Sequence, residues 1–267
     1  MSEFRLTVAQ FSATLDVARN RELSVSLIAQ AAPSSDLVVI PENAMYSDPA
    51  KEQPDSGYSE ALDGDFVTAL REAAERGGTH VVAGFTETNP GGHPYNTLVH
   101  IAPTGELDGI YRKIHLYDAF GYRESDSVTA ASADTPLTFA VNGITVGAAT
   151  CYDLRFPEMA RWLVDHGADV LVYPAAWAVG PMKELHWESL LRARAIENTT
   201  YVAAAGQTGP HCTGQSQIID PLGIMRASAG EEADAFATAV ISSDRVAQVR
   251  STNPCLENRR FVVGPQA

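Results

Sequence analysis

Cysteine is scarce and odd in number: Cys151, Cys212 and Cys255 are the only three in 267 residues. They have no metal-ligand spacing, so neither a zinc site nor a disulfide-stapled secreted fold is expected, and a free thiol in a reducing cytoplasm is. Basic residues are also few, 19 Lys and Arg against 33 Asp and Glu, for a formal net charge of -14. No basic patch offsets that balance, which argues against nucleic acid as a partner. No apolar run is long enough to span a bilayer, so no membrane partner is expected. Met1-Ser2-Glu3-Phe4-Arg5 enters a strand-like segment at once, without a secretory pattern, and the expected location is cytoplasmic. No glycine-rich loop follows a strand in a phosphate-cradling arrangement. The expectation is therefore no metal, no nucleotide and no other cofactor.

Hydrophobic residues make up 45% of the chain, enough for a sizeable core, and nothing resembles a linker or a low-complexity segment. Strands are expected at Phe4–Phe11, up to Pro41, at Val81–Phe85 and at Asn96–Ile101. Gly109–Leu116 reads as a further strand carrying Lys113 near its end. Helices are expected at Arg21–Ala31 and Asp65–Arg76. The segment from Tyr117 to Pro136 has little periodicity, as long functional loops often do. Beyond Cys151 the pattern gives a helix at Pro157–Asp165, a strand at Val170–Pro174, a helix at Lys183–Glu197 and a strand at Tyr201–Gly206. A strand pair is expected around Ser216–Asp220 and Phe236–Ile241. Strands and helices alternate twice over, which points to stacked sheets with helices outside.

Three strand ends carry chemistry. The apolar run Ile144–Thr150 stops at Cys151, and Pro157 suits the first residue of a helix, so the thiol sits on a strand–turn–helix corner. Alone, a buried cysteine is more often packing than nucleophile. Leu37-Val38-Val39-Ile40-Pro41 ends in the carboxylate of Glu42, and the strand through Tyr111 carries the amine of Lys113. Each has a bland reading as a solvated charge. A thiol, a carboxylate and an amine at three strand exits are, together, the parts of an acyl-transfer site.

Pro41-Glu42-Asn43, Tyr111-Arg112-Lys113-Ile114-His115-Leu116 and Cys151-Tyr152-Asp153-Leu154-Arg155-Phe156-Pro157-Glu158 resemble, in order, the three signature segments of the nitrilase (carbon–nitrogen hydrolase) superfamily. The likeness continues through Tyr173–Trp177, His186–Glu188, Leu191–Asn198 and Gly214–Gly223. Within the superfamily, Arg155–Glu158 and Leu191–Glu197 most resemble the amidase branch that holds deaminated-glutathione amidase and ω-amidase. The resemblance implies a single carbon–nitrogen hydrolase domain over residues 1–267, folded as an α/β four-layer α-β-β-α sandwich. It also implies a homodimer or larger homo-oligomer, built through Pro157–Asp165 and a C-terminal arm from about residue 253 to 267, where Arg259-Arg260-Phe261 looks like a docking segment.

The implied roles agree with the chemistry of the side chains. Cys151 is the nucleophile, Glu42 the general base and Lys113 the charge that meets the oxyanion, with the Tyr152 backbone N–H as a second donor. Glu124 matches a second carboxylate of many relatives and would hold Lys113; as a solvated loop acid it would need no such role. Arg155 is a candidate carboxylate binder, or else a structural partner of Asp153 or Glu158. Tyr46 and Trp177 either line the same pocket or pack in the core. His115 and His186 read as structural, and Arg192, Arg194 and Glu197 as ion-pair partners. The expected activity is hydrolysis of a small linear, carboxylate-bearing amide to acid and ammonia through an acyl-thioester on Cys151. The alternatives are a nitrilase or N-carbamoyl amide hydrolase using the same residues, acyl transfer, and a non-catalytic scaffold with the same fold.

Overall fold

Consecutive residues of the apolar run 37–40 face opposite ways. Leu37 and Val39 belong to one buried cluster, Val38 and Ile40 to another. A strand covered on both faces needs no polar alternation, which is why this run lacks it. The computed structural model describes residues 2–50 and 52–264. Its first half is β1 (Glu3–Gln10), α1 (Val17–Ala31), β2 (Leu37–Val39), α2 (Asp65–Gly77), β3 (His80–Glu87), β4 (Tyr95–Ile101) and β5 (Leu107–Arg112). A small hairpin follows, β6 (Asp118–Ala119) and β7 (Tyr122–Arg123). The second half is β8 (Leu137–Val141), β9 (Ile144–Ala148), α3 (Pro157–Asp165), β10 (Val170–Ala175), α4 (Lys183–Asn198), β11 (Tyr201–Gly206), β12 (Gln217–Ile219) and β13 (Met225–Ser228). The chain ends in β14 (Ala235–Ser242) and α5 (Ser243–Thr252).

Two six-stranded sheets result, in the orders β14-β1-β2-β3-β4-β5 and β8-β9-β10-β11-β12-β13. Read in that direction, both run antiparallel, parallel, parallel, antiparallel, antiparallel. The twofold alternation of the sequence is thus a repeated topology. Leu6, Val8 and Val82 of the first sheet share a cluster with Val146 and Val172 of the second, filling the space between the sheets. Leu27 and Ile28 of α1 and Phe66 and Leu70 of α2 cover the outer face of the first sheet, against Val81 and Ala83. Leu163 of α3 lies so close to β9 that a Cβ at Gly147 would come within 3.1 Å of it. The four-layer α-β-β-α order expected from the resemblance is the one observed.

Some boundaries differ from the sequence reading. Helix α1 begins at Val17 rather than Arg21, because Asp16 caps it by accepting from Arg19 N at 3.0 Å. The strand expected through Lys113 stops at Arg112. Lys113 still donates its backbone N–H to Asn96 O at 2.8 Å, but its side chain turns to buried carboxylates and the chain leaves the sheet. Ser216–Asp220 and Phe236–Ile241 are not a pair. β12 joins β11 and β13, whereas β14 crosses to the first sheet and covers the edge of β1, with Thr7 and Thr238 bonded through their hydroxyls at 2.7 Å. The supposed loop 117–136 holds the β6–β7 hairpin and a short 3-10 turn at Glu124–Asp126. Past α5 the arm is irregular. Arg259 pairs with Asp165 at the end of α3, 2.7 Å apart, and Phe261 and Val262 are exposed. The arm's last three residues, 265–267, lie outside the described residues.

A histidine pair makes the first sheet sensitive to acid in a predictable sense. His100 is fully buried on β4, stacked on Phe139 at 3.6 Å and 3.0 Å from His80. Burial, and then His80, push its pKa down to about 3. Between about 6.5 and 3 the unfolded chain binds a proton at this site and the folded chain does not. This group therefore makes stability fall as pH is lowered through that window, by at most about 1.4 kcal/mol per pH unit. Urea titrations at pH 7, 6 and 5 should give a shallower loss for His100→Gln than for the wild type; equal slopes would contradict the assignment.

Candidate active site

Four strand exits converge between the sheets. Glu42 follows β2, Lys113 follows β5, Cys151 follows β9 and Ala176 follows β10. The approach of Glu42 depends on Gly84 in the neighbouring strand, where a Cβ would lie 2.6 Å from Glu42 Cα. A glycine inside a strand often marks such a close backbone passage. Gln207, at the end of β11, then holds the Glu42 loop, donating from Nε2 to the carbonyls of Glu42 and Asn43 at 2.8 and 3.0 Å.

The Glu42 carboxylate meets only donors. Oε1 accepts from Lys113 Nζ at 2.9 Å and from Asn96 Nδ2 at 2.7 Å, and Oε2 accepts from Ala176 N at 2.7 Å. Lys113 is also shared with Glu124, at 3.0 and 3.2 Å, and Glu124 in turn accepts from Asn96 and from Tyr117 N. Burial alone would lower the lysine pKa. The Glu124 and Glu42 carboxylates outweigh it and hold the amine well above its usual range, so Lys113 is a permanent cation.

Cys151 sits at φ 42°, a left-handed conformation that costs a non-glycine residue energy and marks the sharp corner between β9 and the 3-10 turn Cys151–Arg155. Asp153 braces that corner. Fully buried, it accepts from Thr150 N at 2.8 Å and Tyr111 Oη at 2.7 Å, with His115 Nδ1 at 2.7 Å. Arg194 of α4 donates twice to Leu154 O, at 2.7 and 3.1 Å, and pairs with Glu197 at 2.9 Å. Burial, then the Glu42 carboxylate that accepts the thiol hydrogen bond, hold Cys151 well above its usual pKa, against the pull of Lys113 and of Ala176 N–H. Burial and the neighbouring carboxylate thus favour the thiol over the thiolate. The 3-10 turn begins at Cys151, so the Tyr152 N–H, in its first residues, has no acceptor within the turn.

These groups line a narrow cavity of about 70 Å³ that also includes Asn96, Tyr117, Glu124, Tyr152, Arg155, Trp177 and Lys183. It opens into an outer groove of about 880 Å³ shared through Tyr117, Tyr122, Ala176 and Lys183. Of the residues expected to form the site, Tyr46 does not line this cavity, its ring lying 6.1 Å from Tyr58. Arg155 pairs with neither Asp153 nor Glu158. Its guanidinium lies 4.6 Å over the Trp177 ring and 3.4 Å from His186 Nδ1, while Nε and Nη2 are buried without a hydrogen-bond partner. His115 is stacked on Phe156 at 3.8 Å and takes no part in the cavity chemistry.

Sequence reasoning did not find Asn96, Asp153, Gln207 or Lys183. Asn96 left a signal, since asparagine is depleted inside strands. Gly84 left another. The rest read as ordinary polar residues until the fold brings them to the site.

The carbon–nitrogen hydrolase family model matches residues 5–251. The deaminated glutathione amidase of Escherichia coli O157:H7 is 40% identical over 257 residues, covering 96% of this chain and 97% of that protein. The omega-amidase NIT2 of Danio rerio is 33% identical over 271 residues, covering 97% and 96%. Among solved structures, the CN-hydrolase superfamily protein XC1258 of Xanthomonas campestris superposes with a TM-score of 0.86 at 31% identity, covering 99% of this chain and all of that one. The double sheet and the thiol corner are those of the α/β nitrilase fold, shared with the nitrilase superfamily. The chain belongs to the carbon–nitrogen hydrolase family and is an enzyme of that class. No described helix is long and apolar enough to cross a membrane.

Proposed function

We propose that the protein is an amidase that hydrolyses a small linear amide bearing a carboxylate, through an acyl-thioester on Cys151. The observation that carries this reading is the grouping of Cys151, Glu42 and Lys113 in a narrow cavity also lined by Arg155, whose buried Nε and Nη2 have no hydrogen-bond partner. The amidase names of the two aligned relatives support it.

The steps follow from the contacts. Glu42 takes the thiol proton as sulfur attacks the amide carbon, and the carbonyl π pair moves to oxygen. Lys113 and the Tyr152 N–H meet that oxyanion. The oxyanion collapses, the carbon–nitrogen bond breaks, and the proton held by Glu42 passes to the departing nitrogen, which leaves as ammonia. A water then gives a proton to Glu42 and its oxygen to the thioester carbon. The carbon–sulfur bond breaks, and the proton returns to sulfur as the acid departs. One carboxylate serves as base, acid and base again, which suits a group ringed by donors. Lys113 stays charged throughout and holds Glu42 in place. Glu124 positions Lys113.

Arg155 selects the substrate by its carboxylate, a planar fork against a planar acceptor. Ammonia release from matched anionic and neutral amides tests this. Arg155→Met should lower kcat/KM for the anionic amide by about 30-fold or more, mostly through KM, and should leave the neutral amide much less affected. Equal losses on both amides would remove Arg155 from substrate recognition.

A further inference from the structure

Most buried or half-buried arginines of this acidic chain have a carboxylate: Arg112 has Glu87, Arg194 has Glu197, Arg245 has Asp220 and Arg250 has Asp169. Two cations at the cavity do not. Among the described residues neither Arg155 nor Lys183 is in an ion pair, although the chain carries a net charge of -14. Lys183 is 5% exposed. Its Nζ donates to Tyr117 Oη at 2.6 Å and lies 3.5 Å from the centroid of the Phe120 ring. The Arg155 guanidinium lies 5.3 Å from the same ring. Burial, then the positive charge of Arg155, push the lysine pKa below its usual value.

A buried ammonium without an anion is costly, and such a group is normally paired. Phe120 makes the arrangement more pointed. It and Gly121 are the central residues of the β6–β7 turn, at φ 55° and 83°. A phenylalanine is an unfavourable choice for that conformation, and the residue is 64% exposed. The ring nevertheless lies against both cations at the threshold where the narrow cavity meets the outer groove.

We propose that Lys183 is a second substrate-recognition residue, which grips the carboxylate of the amide together with Arg155 under the Phe120 hairpin. This rests on the amidase reading above and narrows its substrate class. The acid end of the molecule stands between two cations at the cavity mouth, and the amide points inward to Cys151. Amides whose acid end offers several acceptor atoms fill both cations; neutral aliphatic amides fill neither.

Binding separates this proposal from the question of turnover. Glutaric acid monoamide and its neutral diamide are titrated calorimetrically into Cys151→Ala protein, with and without a change at Lys183. Lys183→Gln, which keeps a donor for Tyr117, should weaken the monoamide anion by about 30-fold or more relative to the diamide. Lys183→Arg should restore most of that preference. Parallel weakening of both probes would make Lys183 a structural residue and overturn the proposal, as would an unchanged preference in Lys183→Gln. A parent protein that binds the diamide as tightly as the anion would also overturn it. Failure of the wild type to release ammonia from any amide would strike the amidase reading instead, and the binding comparison would still decide the role of Lys183.

Discussion

Glu42→Gln should lower turnover of the preferred amide by about 10³-fold or more, with the fold intact. The loss has two sources. Burial holds the Cys151 thiol above its usual pKa and persists in the variant, so the thiol still needs a base to take its proton as attack occurs. A glutamine cannot take that proton. It also fits poorly where it stands. Both oxygens of Glu42 face donors, from Lys113, Asn96 and Ala176, so an amide NH2 at either position opposes another N–H. In the proposed mechanism the same carboxylate also activates the water of the second step. Any acyl group that does form on Glu42→Gln protein should therefore persist, and intact mass spectrometry should detect it. Turnover within tenfold of the wild type would remove Glu42 from the base role.

Lys113→Met is expected to have the second large effect, on stability as well as rate. Glu42 is 2% exposed and Glu124 8%, and both use this one amine as counter-ion. Removing it leaves two buried carboxylates side by side, a class of change that costs about 3–5 kcal/mol. Part of that loss should return as pH is lowered and one carboxylate takes up a proton. The double variant Lys113→Met with Glu124→Gln removes one charge and should recover stability at neutral pH without recovering activity, because the oxyanion still lacks its cation. Urea melts of the two variants at pH 7 and pH 5, beside ammonia release, check this. A double variant as active as the wild type would contradict the role of Lys113.

What the sequence made legible was whatever local pattern controls. Val38 and Val39 announce a doubly buried strand by lacking polar neighbours. Cys151 and Pro157 announce a corner, because only a turn accommodates a strand ending and a helix starting six residues apart. What it hid depends on distant partners. Asp153 looks like a spare acid of the turn, but it anchors the corner through Tyr111 and His115, some forty residues earlier. Lys183 looks like a helix-start lysine, yet α4 and the β6–β7 hairpin seal it at the cavity mouth. Arg155 had two candidate partners in its own segment and uses neither, because Asp153 is already taken from the other side. β14 was readable as a strand and not as the edge of the first sheet, since pairing with β1 spans almost the whole chain. Tyr46, close to Glu42 in sequence, was carried away from the cavity by the loop that turns its ring onto Tyr58.

The central claim is that Cys151 forms a covalent acyl intermediate on the way from an anionic amide to acid and ammonia. Its most direct test is ammonia release from glutaric acid monoamide by wild type and Cys151→Ala in parallel, with intact-mass analysis of the rapidly quenched wild type. The account predicts ammonia from the wild type alone, and a mass increase equal to the acyl group that peptide mapping assigns to Cys151. Ammonia release that survives in Cys151→Ala, or wild-type turnover with water attack and no adduct at any quench time, would contradict it.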